Sequence, residues 1–149
     1  MDSVLGIKNL DNAVLLGSRL LLAWIFVHEG LSLAMNYDAA SAGMAKMGVP
    51  AAALIPTIAV QLVAGLAIAV GWNARSAAAA LGLFCLATAF LFHNNFANRN
   101  ELLHFEKDLA IGGGMFVLML RGAGGYSVQA LAKQREEHEG GWQWRFRAF

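Results

Sequence analysis

Four long apolar segments occupy most of this 149-residue chain, over about residues 12–35, 54–72, 75–96 and 102–120. Each is close to the roughly 20 mostly apolar residues that an α-helix needs to cross the hydrocarbon core of a bilayer. Only short connections and a tail are left over. The sequence therefore predicts an all-α integral membrane protein, with a four-helix bundle over residues 1–126 and an amphipathic tail, rich in basic and aromatic residues, over 127–149.

Several classes of function are incompatible with this pattern. The chain is 58% hydrophobic and only 14% charged, which is too apolar for an ordinary soluble domain. It contains neither a glycine-rich phosphate loop nor a basic block, so we expect no nucleotide fold and no nucleic-acid partner. The single cysteine, Cys85, allows no internal disulfide or dithiol chemistry in an isolated chain, and we interpret it as a small core residue.

The Lys and Arg residues predict the orientation in the membrane. With four spans, both termini lie on one side, and eight of the eleven Lys and Arg residues belong to that side. The positive-inside rule then places both termini in the cytoplasm and the first and third connections outside. Arg19, which lies within the first span near that side, is expected to extend its side chain to the cytoplasmic surface.

Polar residues concentrate where three of the predicted spans meet the outer surface. Ionisable groups at membrane depth are costly, so they normally face the interior of a bundle or a water-filled cavity and take part in binding or proton movement. Because antiparallel helices bring these ends together, we predict one outer site. Its candidate catalytic residues are Asp108, Glu29 and His104, and its candidate ligand-binding residues are His28, Gln61, His93, Asn94 and Lys107.

Two ligand classes suit this set of residues. A quinone headgroup needs hydrogen-bond donors to two carbonyl oxygens and groups that carry protons near neutral pH, which His, Asn, Lys and the carboxylates supply. A divalent metal would instead use His104 and Asp108, four residues apart, with a ligand from a neighbouring helix. No tight metal motif is present, so we assign no metal ligands and expect a quinone, while metal and haem stay open as alternatives.

The first connection and the glycines have predicted structural roles. Gly43, Gly48 and Pro50 interrupt helices, but Met44 and Met47 keep the connection apolar enough to fold over the bundle as a lid. The small residues at 65, 82 and 112–114 are expected to let neighbouring helix backbones approach closely.

A series of motifs runs through most of the chain. It includes the segment from Arg19 to Phe26, the Met-Gly-Val-Pro sequence ending at Pro50, and His93-Asn94, followed by the segments 104–107, 109–114 and 122–127. In this order the chain resembles the DoxX family of small bacterial membrane proteins over about residues 14–128. It departs from the family pattern at three positions: Gln61 stands where many relatives have glutamate, Asp108 where asparagine is common, and Gln129 where an acidic residue is usual.

The resemblance implies a multi-pass protein of the bacterial inner membrane that is associated with quinone-linked redox chemistry, with no agreed catalytic residues to transfer. Our leading hypothesis is a subunit of a quinone-linked oxidoreductase or redox-stress system. Because no flavin, haem or dithiol centre is evident, its electrons would come from a partner subunit, and whether the chain is itself an enzyme is left open. The expected partners are the lipid bilayer, this oxidoreductase subunit and further copies of the chain. The alternatives are a non-catalytic anchor or scaffold subunit and a small transporter or channel.

Overall fold

The computed structural model describes the backbone of residues 2–146 and the side chains of residues 6–137. Within residues 2–146 the protein forms six α-helices, one short 3-10 turn at Ala51–Ala53, and no β-strand. The predicted all-α class is therefore confirmed for this part of the chain. The helices are α1 (Asp2–Met35), α2 (Tyr37–Lys46), α3 (Leu54–Val70), α4 (Ala74–Phe92), α5 (Arg99–Arg121) and α6 (Val128–Phe146).

Three of the described segments are long and apolar enough to cross a membrane, at Gly6–Met35, Ala51–Val70 and Ala74–Phe92. They correspond to the first three predicted spans. The helix α5 is 23 residues long but carries Glu106, Lys107 and Asp108 in succession, which lowers its hydropathy below that of the other three. Length and composition thus support three of the four predicted spans.

The helices α1, α3, α4 and α5 pack around a core that combines alanines with larger apolar side chains such as Phe26, Ile68 and Met115. α1 packs on α3, α3 on α4 and α4 on α5, and α5 also touches α1. Alanines and glycines allow this close packing: a methyl group added at Gly82 would lie 2.9 Å from the ring of Phe116, and one at Gly65 would lie 3.0 Å from Val27. The predicted packing role of these two glycines is confirmed, whereas Gly113 faces open space.

The outer faces of the same helices are strongly apolar. Leu21, Val63, Leu91 and Leu120 are among the most exposed large hydrophobic side chains. In water such a surface would be unfavourable, whereas in a bilayer it is the surface that acyl chains contact. The exposed apolar faces agree with the predicted lipid environment.

Helix ends depart from the predicted boundaries in ways that local chemistry explains. α4 ends at Phe92, four residues before the predicted limit, because the polar run that starts at His93 leaves the helix. α5 begins at Arg99, where the side chain of Asn98 accepts a hydrogen bond of 3.0 Å from the backbone N–H of Asn100. The predicted tail is helical as α6, while the side chains of its aromatic and basic residues from 142 onward lie outside the described residues.

A loop over residues 122–127 covers the end of the molecule where α3 and α5 end and α4 begins, and it surrounds Arg19. This side chain is 1% exposed and donates to the carbonyl oxygens of Ala123, Tyr126 (3.0 Å) and Ala69 (3.4 Å). The expectation that Arg19 extends to the surface is therefore wrong. The loop provides carbonyl acceptors in the interior, which a buried guanidinium needs.

Two further contacts fix this loop on the helices. Asn12 of α1 accepts a hydrogen bond of 2.7 Å from the backbone N–H of Gly125, and the N–H of Gln129 donates to the carbonyl oxygen of Gly71 at 3.2 Å. Gly71 has a φ of +74°, and an added Cβ would lie 2.5 Å from Ser127 and 2.6 Å from Arg19. Glycine is thus required where α3 meets the loop.

Candidate functional site

A cavity of about 350 Å³, here called the polar cavity, opens at the end of the molecule where α1 and α4 end and α3 and α5 begin. Six of the eight predicted site residues line it, together with apolar side chains from five helices. The juxtaposition that the site hypothesis needs is therefore present for these six. They are Glu29, Gln61, His93, His104, Lys107 and Asp108.

The polar side chains of the cavity are arranged by depth. Glu29, His104 and Lys107 are exposed and form its mouth. His93 and Asp108 are half-buried, and Gln61, at 4% exposed, lies in the interior. A molecule entering the cavity would therefore meet charged groups first and an amide last.

The helix α5 contributes three of these groups from one face. His104, Lys107 and Asp108 are three and four residues apart, a spacing that places side chains side by side on a helix, and Ile111 continues the same face inward. The consecutive charges that lower the hydropathy of α5 are thus partly accounted for: two of them, Lys107 and Asp108, face the cavity.

Asp108 has a hydrogen-bond partner on the neighbouring helix. The hydroxyl of Thr88 in α4 lies 2.9 Å from Asp108 Oδ2, and also within 3.1 Å of the carbonyl oxygens of Phe84 and Cys85. A hydroxyl has one hydrogen to donate, and an ionised carboxylate is the strongest acceptor of the three. This contact orients the Asp108 carboxylate between α4 and α5.

A second polar pair borders the mouth. His93 Nδ1 lies 2.7 Å from Glu101 Oε2, and the His93 ring stacks on the ring of His104 with centroids 5.0 Å apart. When Glu101 is ionised, Nδ1 of His93 carries the hydrogen, so in a neutral ring Nε2 is the acceptor. Glu101 therefore sets the tautomer of a histidine that lines the cavity.

Gln61 differs from these groups because its amide has no hydrogen-bond partner among the described residues. The side chain projects from the buried face of α3 into the cavity. Its amide provides two donors and an acceptor that open onto the cavity; among the described residues the fully buried side-chain atom without a partner is Nε of Arg19, not an atom of this amide. The interior of the cavity is thus suited to a molecule with hydrogen-bonding atoms.

The remaining walls are apolar. Phe84 and Phe92 of α4 and Ile25 and Phe26 of α1 are among the residues that line the cavity. Met44 and Met47, from α2 and the turn after it, complete the wall, in agreement with the predicted lid position of this connection. The cavity therefore combines apolar walls with a few convergent polar groups, the usual composition of a small-molecule site.

Two predicted site residues lie outside the lining. His28 is exposed on the outward face of α1, where its ring stacks on Trp24 with centroids 5.9 Å apart. Asn94 is exposed and donates to the carbonyl oxygen of Phe90 at 3.3 Å. Of the adjacent pair His28 and Glu29, only Glu29 is on the side of α1 that faces the cavity.

Comparison with known proteins identifies the family. The sequence pattern of the DoxX family matches residues 14–94. The inner membrane protein YqjF of Escherichia coli (strain K12) is 36% identical over 128 residues, which cover 86% of this chain and 98% of that protein. The chain belongs to the DoxX family. It is a multi-pass protein of the bacterial inner membrane. No solved structure matches it.

The residues matched by the DoxX family include only half of the predicted site residues that line the polar cavity. Glu29, Gln61 and His93 fall within the matched residues 14–94, whereas His104, Lys107 and Asp108 of α5 follow them. Among the residues whose side chains are described, no group of three or more His, Cys, Asp or Glu side chains is placed to hold a metal ion.

Several residues that line the polar cavity were not predicted from the sequence. Thr88 is the most important, because it holds Asp108, and Cys85 lies in the cavity wall as well as in the core. A signal was present in the sequence: Cys85, Thr88 and Phe92 are spaced three and four residues apart and therefore share one face of α4. This face ends next to His93, which the sequence did single out.

Proposed function

We propose that this DoxX-family protein binds a quinone or a similar small redox molecule in the polar cavity, as a membrane subunit of a quinone-linked oxidoreductase or redox-stress system. The observation that carries the proposal is the position of Gln61, a largely buried residue whose amide opens onto the cavity and takes part in none of the side-chain hydrogen bonds of the described residues. A carbonyl oxygen of a quinone would accept a hydrogen bond from this amide.

The dimensions and chemistry of the cavity support the same ligand. Its volume of about 350 Å³ is in the range of small-molecule sites and exceeds what a single quinone ring needs. Phe84 and Phe92 offer aromatic surface to a flat ring. Gln61 in the interior and His104 or Lys107 at the mouth would donate to the two carbonyl oxygens at opposite ends of the ring.

The carboxylates supply the protons in this proposal. Reduction of a quinone to a quinol consumes two electrons and two protons. Asp108, half-buried, delivers protons to the ring oxygen, and His104 and Glu29 at the mouth replace them from water. The electrons come from a partner subunit, since the chain has one cysteine and cannot cycle as a dithiol by itself.

The proposal includes α5 as a fourth membrane helix with both termini in the cytoplasm. Its exposed side chains Val117 and Leu120 are apolar, and Lys107 and Asp108 face the cavity instead of the lipid. Fusions of green fluorescent protein and of alkaline phosphatase to the carboxyl terminus test this. Fluorescence without phosphatase activity is expected, whereas an active phosphatase would contradict the assigned topology.

The binding proposal is tested with the full chain purified in a mild detergent and titrated with ubiquinone-1 and with menadione. Gln61→Leu and Asp108→Asn should each weaken binding by roughly tenfold, the loss expected for one buried hydrogen bond. His28→Ala and Asn94→Ala are matched controls, because these residues lie outside the cavity lining, and both should bind as the wild type does.

Unchanged affinity of folded Gln61→Leu and Asp108→Asn proteins would reject the site. No affinity of the wild type for either quinone, together with co-purification of an oxidoreductase, would replace the proposal by a non-catalytic anchor. Uptake of a solute into proteoliposomes that is lost in Gln61→Leu would replace it by a transporter.

A further inference from the structure

A second cavity, of about 220 Å³, lies at the other end of the bundle and is here called the basic cavity. It is bordered by the start of α4, the end of α5, the loop 122–124 and the first turns of α6. Three cationic side chains line it, and no carboxylate does. The three are Arg75, Arg121 and Lys133.

These cations have few partners in the described part of the protein. Arg75 and Arg121 form no ion pair there, and Lys133 has only an exposed contact of 3.9 Å with Glu137. Such an exposed pair contributes little and is screened by salt. Three like charges around one small cavity repel one another, so an anion in the cavity would be favoured.

The backbone strengthens the positive potential. α6 begins at Val128 beside the cavity, so the positive end of its dipole is directed there, and Ser127 Oγ accepts a hydrogen bond of 3.2 Å from Ala130 N in the first turn. The buried guanidinium of Arg19 lies behind the loop, where it donates to the carbonyl oxygen of the cavity residue Ala123 and has no carboxylate partner among the described residues.

The position of Arg75 depends on a glycine. Gly122 has a φ of +78°, and a Cβ added to it would lie 3.0 Å from Arg75 Nε. The guanidinium therefore lies directly against the backbone of the loop. A planar guanidinium held in this way at the cavity edge can form paired hydrogen bonds with phosphate oxygens.

The surroundings place the basic cavity at the depth of lipid headgroups. Two exposed aromatic side chains lie close to its lining residues in the sequence, Trp72 just after α3 and Tyr126 just before α6, and such residues are enriched at the membrane interface. Leu120 and Val128, next to the cationic residues, are exposed apolar side chains that acyl chains can cover. A free phosphate ion would make no use of this apolar surface.

We infer that the basic cavity binds the phosphate group of an anionic phospholipid headgroup. Arg75 and Arg121 contact the phosphate oxygens, Lys133 adds charge, and the acyl chains lie along the apolar outer face of α5. This site shares no residue with the polar cavity, so it stands independently of the proposed quinone binding.

The experiment measures lipid retained by the full chain in native mass spectrometry after incubation with dioleoylphosphatidylglycerol or dioleoylphosphatidylcholine. The wild type should retain the anionic lipid preferentially. Combined Arg75→Gln, Arg121→Gln and Lys133→Gln substitution should lower retention of phosphatidylglycerol by roughly tenfold or more, because each cation near an anionic lipid surface contributes appreciably. The matched control combines Lys8→Gln, Arg99→Gln and Arg135→Gln, which removes the same charge away from the cavity, and should retain the lipid.

Three outcomes would overturn the inference. Equal loss in the cavity and control variants would show a diffuse charge effect, and equal retention of both lipids by the wild type would show no anion preference. Displacement of phosphatidylglycerol by millimolar inorganic phosphate would assign the site to free phosphate. All three substituted residues are exposed, so the variants should fold, and their thermal unfolding is measured alongside; Arg121→Gln alone is the fallback and should show a smaller loss of the same lipid.

Discussion

The two ends of the helical bundle each bury one long polar side chain and surround it differently. At the loop end, Arg19 is 1% exposed and its two terminal nitrogens donate to three backbone carbonyl oxygens, which leaves Nε without a partner among the described residues. At the other end, Gln61 is 4% exposed and its amide faces the polar cavity with no partner among the described residues. The two side chains are buried to nearly the same extent, but they differ in their number of hydrogen-bond partners.

The comparison shows that partners, more than burial, distinguish a structural polar group from one available to a ligand. Arg19 is charged and Gln61 is neutral. The loop 122–127 surrounds Arg19 and accepts its hydrogen bonds, so Arg19 contributes to the fold. Gln61 is neutral and inexpensive to leave unpaired by comparison, which allows it to remain free for binding. The predictions below test this distinction, in order of decreasing expected effect.

Arg19→Met should cause the largest loss of stability, about 3 kcal/mol or more, because it leaves buried carbonyl oxygens of the loop 122–127 without a donor. Thermal unfolding in detergent, followed by circular dichroism, measures the change. Arg135→Met on the exposed part of α6 is the matched control and should unfold as the wild type does. An Arg19→Met protein that unfolds at the wild-type temperature would show that the loop is not held by this residue.

Gly71→Ala should destabilise the protein by about 2 kcal/mol, because alanine is strained at a φ of +74° and its Cβ would displace Arg19 and Ser127. Gly113→Ala is the control: this glycine is helical and faces open space, so alanine should be neutral or stabilising by up to about 1 kcal/mol. If the two variants unfold alike in the same assay, the contact between α3 and the loop is not tight.

Gln61→Leu should raise the stability by roughly 1 kcal/mol and lower the quinone affinity, because an apolar side chain replaces a cavity-lining amide that bonds to no other described residue. Gln134→Leu on the exposed face of α6 controls for the change of residue type and should alter neither quantity. A destabilisation like that of Arg19→Met would mean that Gln61 is a structural residue and that the two ends do not differ in the proposed way.

Thr88→Val should have the smallest effect on stability, about 0.5–1.5 kcal/mol, because it removes one hydrogen bond to Asp108. The affinity for ubiquinone-1 should change with it, since Asp108 loses its orientation. Thr57→Val is the control, because the Thr57 hydroxyl bonds only within its own helix, to the carbonyl oxygen of Ala53 at 2.9 Å. Equal affinities of the two variants for ubiquinone-1 would show that the Thr88 contact does not influence ligand binding.

Much of the fold follows from sequence because its main signal is the length of apolar runs. The ends of α3, α4 and α5 lie within four residues of the predicted spans, whereas α1 begins ten residues before its span. The ends of α3 and α4 follow from Gly71 and from the polar run at His93. α6 was predicted only as an amphipathic tail, since its charged and small residues show no regular apolar stripe. The charges of α5 lower its hydropathy, and hydropathy does not depend on whether a side chain faces the lipid or the protein interior. The membrane assignment of α5 is therefore harder than that of the other spans.

The site was predicted less completely, because the sequence does not show in which direction each side chain points. Adjacent residues on a helix point about 100° apart, so His28 and Glu29 could be separated only when the packing of α1 on α3 was known. Thr88 carries no charge, and the sequence indicates it only through the spacing that it shares with Cys85 and Phe92. Arg19 was assigned to the surface because the acceptors that retain it belong to a loop more than a hundred residues away in the chain.

The helix α1 takes part in both ends of the molecule. Arg19 holds the loop and Glu29 borders the polar cavity, ten residues or about 15 Å further along the same continuous rod. A tilt of α1 that widened the mouth of one cavity would also pull on the anchor at the other. One continuous helix therefore links the loop around Arg19 to the mouth of the polar cavity.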